Sequence, residues 1–249
     1  MGVPKIKINE FRIESIPDSS TWIIIGAPSS GKTTLIENLI YYNRHRFPVA
    51  KIMNGNEDAN AKFGKTFGQL FVTNKYDPDE LKSAIGRQKR VISEKHPYPG
   101  CVNVIDDCGD DPKIFRTPHM RGLFKLGSQW WHFLTVIGTQ YAMDFPPDIR
   151  RATSYVALFR EPDPIARDTL YKNFGGICGS RAKFDALMDQ LTGDYTCMII
   201  QKRNQSNKLE DCVFYYKTQV LPQWTFGCDE FRKWTEQRFN KSYREAFDI

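Results

Sequence analysis

Residues 23–34 read Ile-Ile-Ile-Gly-Ala-Pro-Ser-Ser-Gly-Lys-Thr-Thr. With Trp22 in front, the isoleucines have the pattern of a strand covered on both faces, as in the interior of a parallel sheet. The next stretch, Gly26 to Thr33, matches G-x-x-x-x-G-K-[ST] without a mismatch. Glycines let the backbone fold back so that successive N–H groups face inward, and the next helix adds its positive end, a combination suited to phosphate. Gly26, Ala27, Pro28, Ser29, Ser30, Gly31, Lys32, Thr33 and Thr34 are the expected cradle, with Lys32 on the β and γ phosphates and Thr33 on Mg2+. Chance produces this pattern in roughly one chain in a hundred of this length. Its weight therefore comes from context: it joins an apolar strand to a helical pattern with Leu35, Leu39 and Tyr42 on one face. The cradle defines a ligand class and leaves the reaction open.

The rest of the chain fits an α/β plan. Strands are expected at 49–53, 101–106, 133–139, 154–159, 195–201 and 212–217, with an edge strand at 5–13. Helical patterns lie between most of them. Asp77-Pro78-Asp79-Glu80 opens one, running to about Lys95, with Asp77 as cap and the acids at the positive helix end. Alternating strands and helices predict a mainly parallel central sheet flanked by helices, with right-handed crossovers. Residues 162–193 are expected as a helical insertion, 229–249 as a C-terminal helix and 1–20 as an N-terminal flank of one domain over 1–249. The segment from Asn54 to Gln69, rich in Gly, Asn and Lys, is expected as a loop that touches a polyanion or a neighbour.

At 249 residues the chain can bury one sizeable core. Its net charge of +6 permits contact with a polyanion without demanding it. The six cysteines, Cys101, Cys108, Cys178, Cys197, Cys212 and Cys228, include no C-x-x-C pair, so reduced thiols in an intracellular setting are expected. The histidines show no metal-ligand spacing, and no apolar run is long enough for a membrane span.

Three further signals surround the cradle. Val102-Asn103-Val104-Ile105-Asp106-Asp107 reads as a buried strand ending in two acids. Asp106 is the expected metal ligand and Asp107 the group that polarises an attacking water, which favours hydrolysis over transfer to a bound acceptor. Asp110 and Asp111 read as turn residues, with Asp111-Pro112 opening a helix. The strand 133–139 is followed by Gln140, either a γ-phosphate sensor or a residue that only ends the strand. In Pro146-Pro147-Asp148-Ile149-Arg150-Arg151, two prolines stiffen a segment presenting two arginines, either a solvated basic pair or a contact in trans to a neighbour's γ phosphate. Arg116 and Arg121 compete for that role.

Taken in order, G-A-P-S-S-G-K-T, V-I-D-D, I-G-T-Q and P-P-D-I-R resemble the poxvirus-type genome-packaging ATPases of large double-stranded DNA viruses, within the FtsK and HerA superfamily of P-loop DNA pumps. The resemblance covers residues 20 to 160. It implies a RecA/FtsK-like P-loop NTPase fold, ATP and Mg2+ as cofactors, and hydrolysis coupled to translocation of double-stranded DNA into a preformed capsid. It gives Lys32 and Thr33 the Walker A role, Asp106 and Asp107 the Walker B role, Gln140 the sensor role and Arg150 the trans arginine. Many relatives carry Gly-Arg-His before the sensor strand, whereas here Gly127 is followed by Ser128 and Gln129, which keeps Arg121 as a substitute. The implied assembly is a homo-oligomeric ring, a pentamer or hexamer, at the viral assembly site in the host-cell cytoplasm or in the virion, with capsid or virion membrane proteins as further partners. Arg87, Lys89, Arg90, Lys202 and Arg203 are the candidate DNA contacts. Two other functions use the same cradle: a nucleoside or nucleotide kinase, and a nucleotide-gated assembly scaffold.

Overall fold

The apolar runs become strands of one sheet in the computed structural model, which describes residues 7–108, 112–141 and 145–239. The strands are β1 (Asn9–Glu10), β2 (Ser20–Ile25), β3 (Val49–Asn54), β4 (Val72–Thr73), β5 (Cys101–Asp106), β6 (Phe133–Thr139), β7 (Tyr155–Leu158), β8 (Thr196–Gln201) and β9 (Val213–Lys217). Their order is β1-β9-β8-β7-β2-β6-β5-β3-β4. The helices are α1 (Lys32–Asn43), α2 (Glu57–Phe67), α3 (Pro78–Ser93), α4 (Pro118–Trp130), α5 (Pro147–Ala152), α6 (Pro164–Phe174), α7 (Arg181–Leu191), α8 (Leu209–Cys212) and α9 (Asp229–Arg238). None of them is long and apolar enough to cross a membrane.

β2 sits near the middle of the sheet, and its alternating side chains feed two cores. Trp22 and Ile24 face α1 and α2, where Leu35, Ile36, Leu39, Phe63 and Phe67 are buried. Ile23 and Ile25 face α3, α4, α6 and α7, where Leu81, Leu123, Phe124, Phe174 and Leu187 are buried. Burial on both faces is the reason the run is apolar without alternation. One cross-strand row on the second face is polar: Thr21, Thr135 and Asn103 are in register, with side-chain atoms buried and lacking partners among the described residues.

Three helices start by the same device, a capping side chain followed by proline in the first turn. Asp77 accepts from the Asp79 and Glu80 N–H groups, Thr117 from Met120, and Asp163 from Ile165 and Ala166. These contacts satisfy donors that a helix start leaves open.

The structure departs from the expectation in several places. The edge strand expected at 5–13 is only Asn9–Glu10, paired in parallel with β9, before the chain turns into a 3-10 segment at Ile13–Ser15; residues 5 and 6 lie outside the described residues. The segment 54–69, expected as a loop, is helical from Glu57 to Phe67: Asn56 caps it by accepting from the Ala59 N–H at 3.1 Å. Phe63 and Phe67 repeat at helical spacing, and Phe67 meets Trp224 and Phe226 far along the chain. β8 runs antiparallel to both β7 and β9, because α6 and α7 return the chain before β8 begins. The expected helix start at Asp111, like Asp110, lies outside the described residues; from Pro112 to Arg116 the chain forms a 3-10 turn. The C-terminal helix is described to Arg238, and residues 240–249 lie outside.

Candidate nucleotide site

The cradle is built where β2 ends. The Gly26 N–H donates to the Thr139 carbonyl at 3.2 Å, tying the start of the loop to the end of β6. Ser29 and Gly31 have φ of 60° and 108°, so the loop doubles back before α1 begins. Gly31 caps α1 without any side-chain hydrogen bond, which leaves the first helical N–H groups to an anion. Lys32 is buried, its ammonium donating to the Ala27 carbonyl at 3.2 Å.

β5 brings the acids to the same place. Asp106 is 1% exposed, and one of its oxygens accepts from the Thr33 hydroxyl at 3.5 Å. Burial, reinforced by the Asp107 charge and opposed by Lys32, pushes the Asp106 carboxyl up to about 7. Gly138 on β6 makes room for it: a Cβ there would lie 1.9 Å from Asp106 Oδ1. Asp107 turns the chain out of the sheet with φ of 49°.

Among the described residues, nothing hydrogen-bonds to buried Asp106 Oδ1, Asp107 Oδ1 or the Ser30 hydroxyl. A carboxylate oxygen in that condition is costly unless a cation or donor reaches it. Mg2+ suits the set, since it is held through one or two carboxylates or hydroxyls together with substrate phosphates. Thr33 and Asp106 are the residues that would hold it, and the bound ion would neutralise charge on the phosphates.

A cavity of 410 Å3 lies over these groups, within the range of about 300–1,000 Å3 usual for small-molecule sites. Its floor is Pro28, Ser29 and Gly31 to Thr34; its walls are Asn56, Asp107, Gln140 and Tyr195. A larger cavity, 790 Å3, lies between α2 and the C-terminal segment, away from the acid pair. The chemistry of the lining, and not size, identifies the site.

The structure thus brings the cradle, Asp106, Asp107 and Gln140 together. It does not bring Arg150 there. α5 leads into the start of β7, and Ser154 just beyond it bonds to Thr21 near the beginning of β2, the end opposite the loop. The Arg150 guanidinium donates to the Lys172 carbonyl at 3.4 Å, and its own carbonyl accepts from the Lys202 ammonium. Arg121 pairs with Asp148 at 3.4 Å, and Arg116 and Arg151 are exposed.

Asn56, Gly138 and Tyr195 were not legible as site residues. Asn56 carries a local signal, a cap residue before a helix. Gly138 and Tyr195 carry none, because their roles depend on which strands become neighbours.

No family model matches the chain. It is 34% identical to uncharacterized protein 075L of Invertebrate iridescent virus 6, over 89% of this chain and 86% of that protein. It is 37% identical to uncharacterized protein 088R of Invertebrate iridescent virus 3, over 84% of this chain and 81% of that protein. Among solved structures, the genome packaging NTPase B204 from Sulfolobus turreted icosahedral virus 2, in complex with ATP-gammaS, superposes with a TM-score of 0.56 at 15% identity, over 82% of this chain and 100% of that one. The chain belongs to the family of large-DNA-virus proteins that includes 075L and 088R, and it has the P-loop ATPase fold that B204 also has.

Proposed function

We propose that this protein is an ATP-hydrolysing motor that drives double-stranded viral DNA into a preformed capsid. The observation that carries the reading is the meeting of the phosphate loop, Asp107 and Gln140 around one cavity. The fold shared with a genome packaging NTPase supports it. In this reading the Lys32 ammonium leaves the Ala27 carbonyl for the phosphates. Asp107 holds the attacking water and accepts its proton, while the Gln140 amide orients that water. Two adjacent acids suit water as the acceptor.

Arg150 stands away from its own cradle, so any contact it makes with a γ phosphate is to a neighbouring subunit's in a ring. DNA is gripped through its backbone, and binding weakens as salt rises. Arg87, Lys89, Arg90 and Arg203 are exposed and suited to that task. Lys202 is half-buried and already bonded to the Arg150 carbonyl, which suits it less. The site of action is viral assembly in the host cytoplasm, with capsid proteins as partners.

The test is ATP turnover with and without duplex DNA. Turnover should rise with DNA, and Asp107→Asn should keep nucleotide binding while losing about 10²–10⁴-fold in turnover. Normal turnover in that variant sinks the Asp107 role. Phosphate transfer to an added nucleoside would replace the motor by a kinase, and ATP binding without turnover in the unaltered protein would leave a scaffold.

A further inference from the structure

Of the residues around the cavity, Tyr195 has no part in the chemistry above. The residue is 58% exposed, yet it stands against the loop: a Cβ on Gly31 would lie 3.4 Å from Tyr195 Cδ1.

Topology decides which side of the loop it occupies. β6, β5 and β3 lie to one side of β2 and carry Gln140, Asp106 with Asp107, and Asn56 at or just beyond their carboxyl ends. β7, β8 and β9 lie to the other side. Because β8 runs antiparallel to β7, the residue just before β8 stands level with the carboxyl end of β7. Tyr195 is that residue. The acid pair and Tyr195 therefore flank the loop from opposite sides.

The backbone that carries the ring is fixed in an unfavourable turn. Asp194 and Tyr195 have φ of 47° and 58°, a left-handed conformation that residues with a Cβ avoid. Contacts from the end of β9 and just beyond it hold the turn: the Thr218 N–H and hydroxyl both donate to the Tyr195 carbonyl, at 3.0 and 3.1 Å, and Lys217 pairs with Asp194 at 2.5 Å. Turns over-determined in this way cluster at ligand clamps.

We infer that Tyr195 is the platform on which the base of a bound nucleoside triphosphate stacks. The inference rests on the reading of the loop as a phosphate cradle. Thr33 and the acids draw the metal-binding end of the triphosphate toward β5, so the nucleoside leaves on the other side, where an exposed aromatic face is waiting. Every base presents a π-face to such a ring.

Inorganic tripolyphosphate carries the phosphates without the base, and calorimetric titration of it and of ATP, both with Mg2+, separates the two contacts. Tyr195→Ala should weaken ATP by about ten-fold, as expected from removing one base–aromatic stack, and leave tripolyphosphate unchanged. Tyr195→Phe should bind ATP like the unaltered protein. Unchanged ATP affinity in Tyr195→Ala, or equal weakening of both ligands, overturns the platform. If the unaltered protein binds both ligands equally well, the cradle stands and the platform falls. If it binds neither, the cradle reading fails and takes the platform with it.

Discussion

At the carboxyl end of the sheet, Asp106 and Asp107 each keep a buried oxygen that no group among the described residues satisfies, and burial pushes the Asp106 carboxyl up to about 7. Around α5, at the other end, the charged groups other than the exposed Arg151 have partners. Asp148 lies between Arg121 and Lys125 at 3.4 and 3.5 Å, Arg150 donates to the Lys172 carbonyl, and Lys202 donates to the Arg150 carbonyl and stands over the Phe174 ring. Both regions hold charge, but at the carboxyl end one oxygen of each acid has no hydrogen-bond partner among the described residues. Charge that its surroundings satisfy does structural work, whereas buried carboxylate oxygens left open among the described residues mark a place suited to a cation or donor.

The largest test of that contrast is Asp106→Asn. Magnesium-dependent turnover should fall by about 10²-fold or more, while the melting temperature without Mg2+ holds or rises, since a buried carboxylate with an open oxygen is gone. A clear drop in melting temperature would show that Asp106 is a structural acid like Asp148. Gly138→Ala attacks the same point from the sheet: its Cβ would fall 1.9 Å from Asp106 Oδ1. Such overpacking costs about 1–3 kcal/mol, or roughly 2–4 °C of melting temperature per kcal/mol for a chain of this size, and turnover should fall with it. Unaltered melting would mean that Asp106 has freedom to move aside.

The smallest effect belongs to the far end. Burial first, and the Arg150 charge second, lower Lys202 from its usual 10.5 to about 8. Between those values the unfolded chain holds the proton that the folded chain has released, so stability rises with pH across that window. The stability difference between the unaltered protein and Lys202→Met should therefore shift toward the unaltered protein from about pH 8 to about pH 10. Denaturant unfolding at both pH values measures it. A flat difference would mean that Lys202 is better solvated than its place over Phe174 implies.

Much of the carboxyl end was legible from residues. The cradle is a local motif, and β5 and β6 announce themselves as apolar runs whose next residues, Asp107 and Gln140, must emerge together once the strands pair in parallel. α2 was not legible, since its polar sequence hides Phe63 and Phe67, whose burial involves Trp224 and Phe226. Tyr195 read as the first residue of a strand, and only the reversal of β8 turns it toward the loop. Gln140 and Arg150 stand ten positions apart in the sequence, and nothing in that segment says that α5 carries the second to the opposite end of the sheet.

Local physics was enough for the phosphate loop, the buried strands and the acid pair, because each depends on backbone preference and on side chains within a few residues. Tertiary structure alone decided which groups share a cavity, which charges are balanced and which side of the loop carries an aromatic face. Those depend on strand order and direction, set by which apolar faces the whole chain can bury at once.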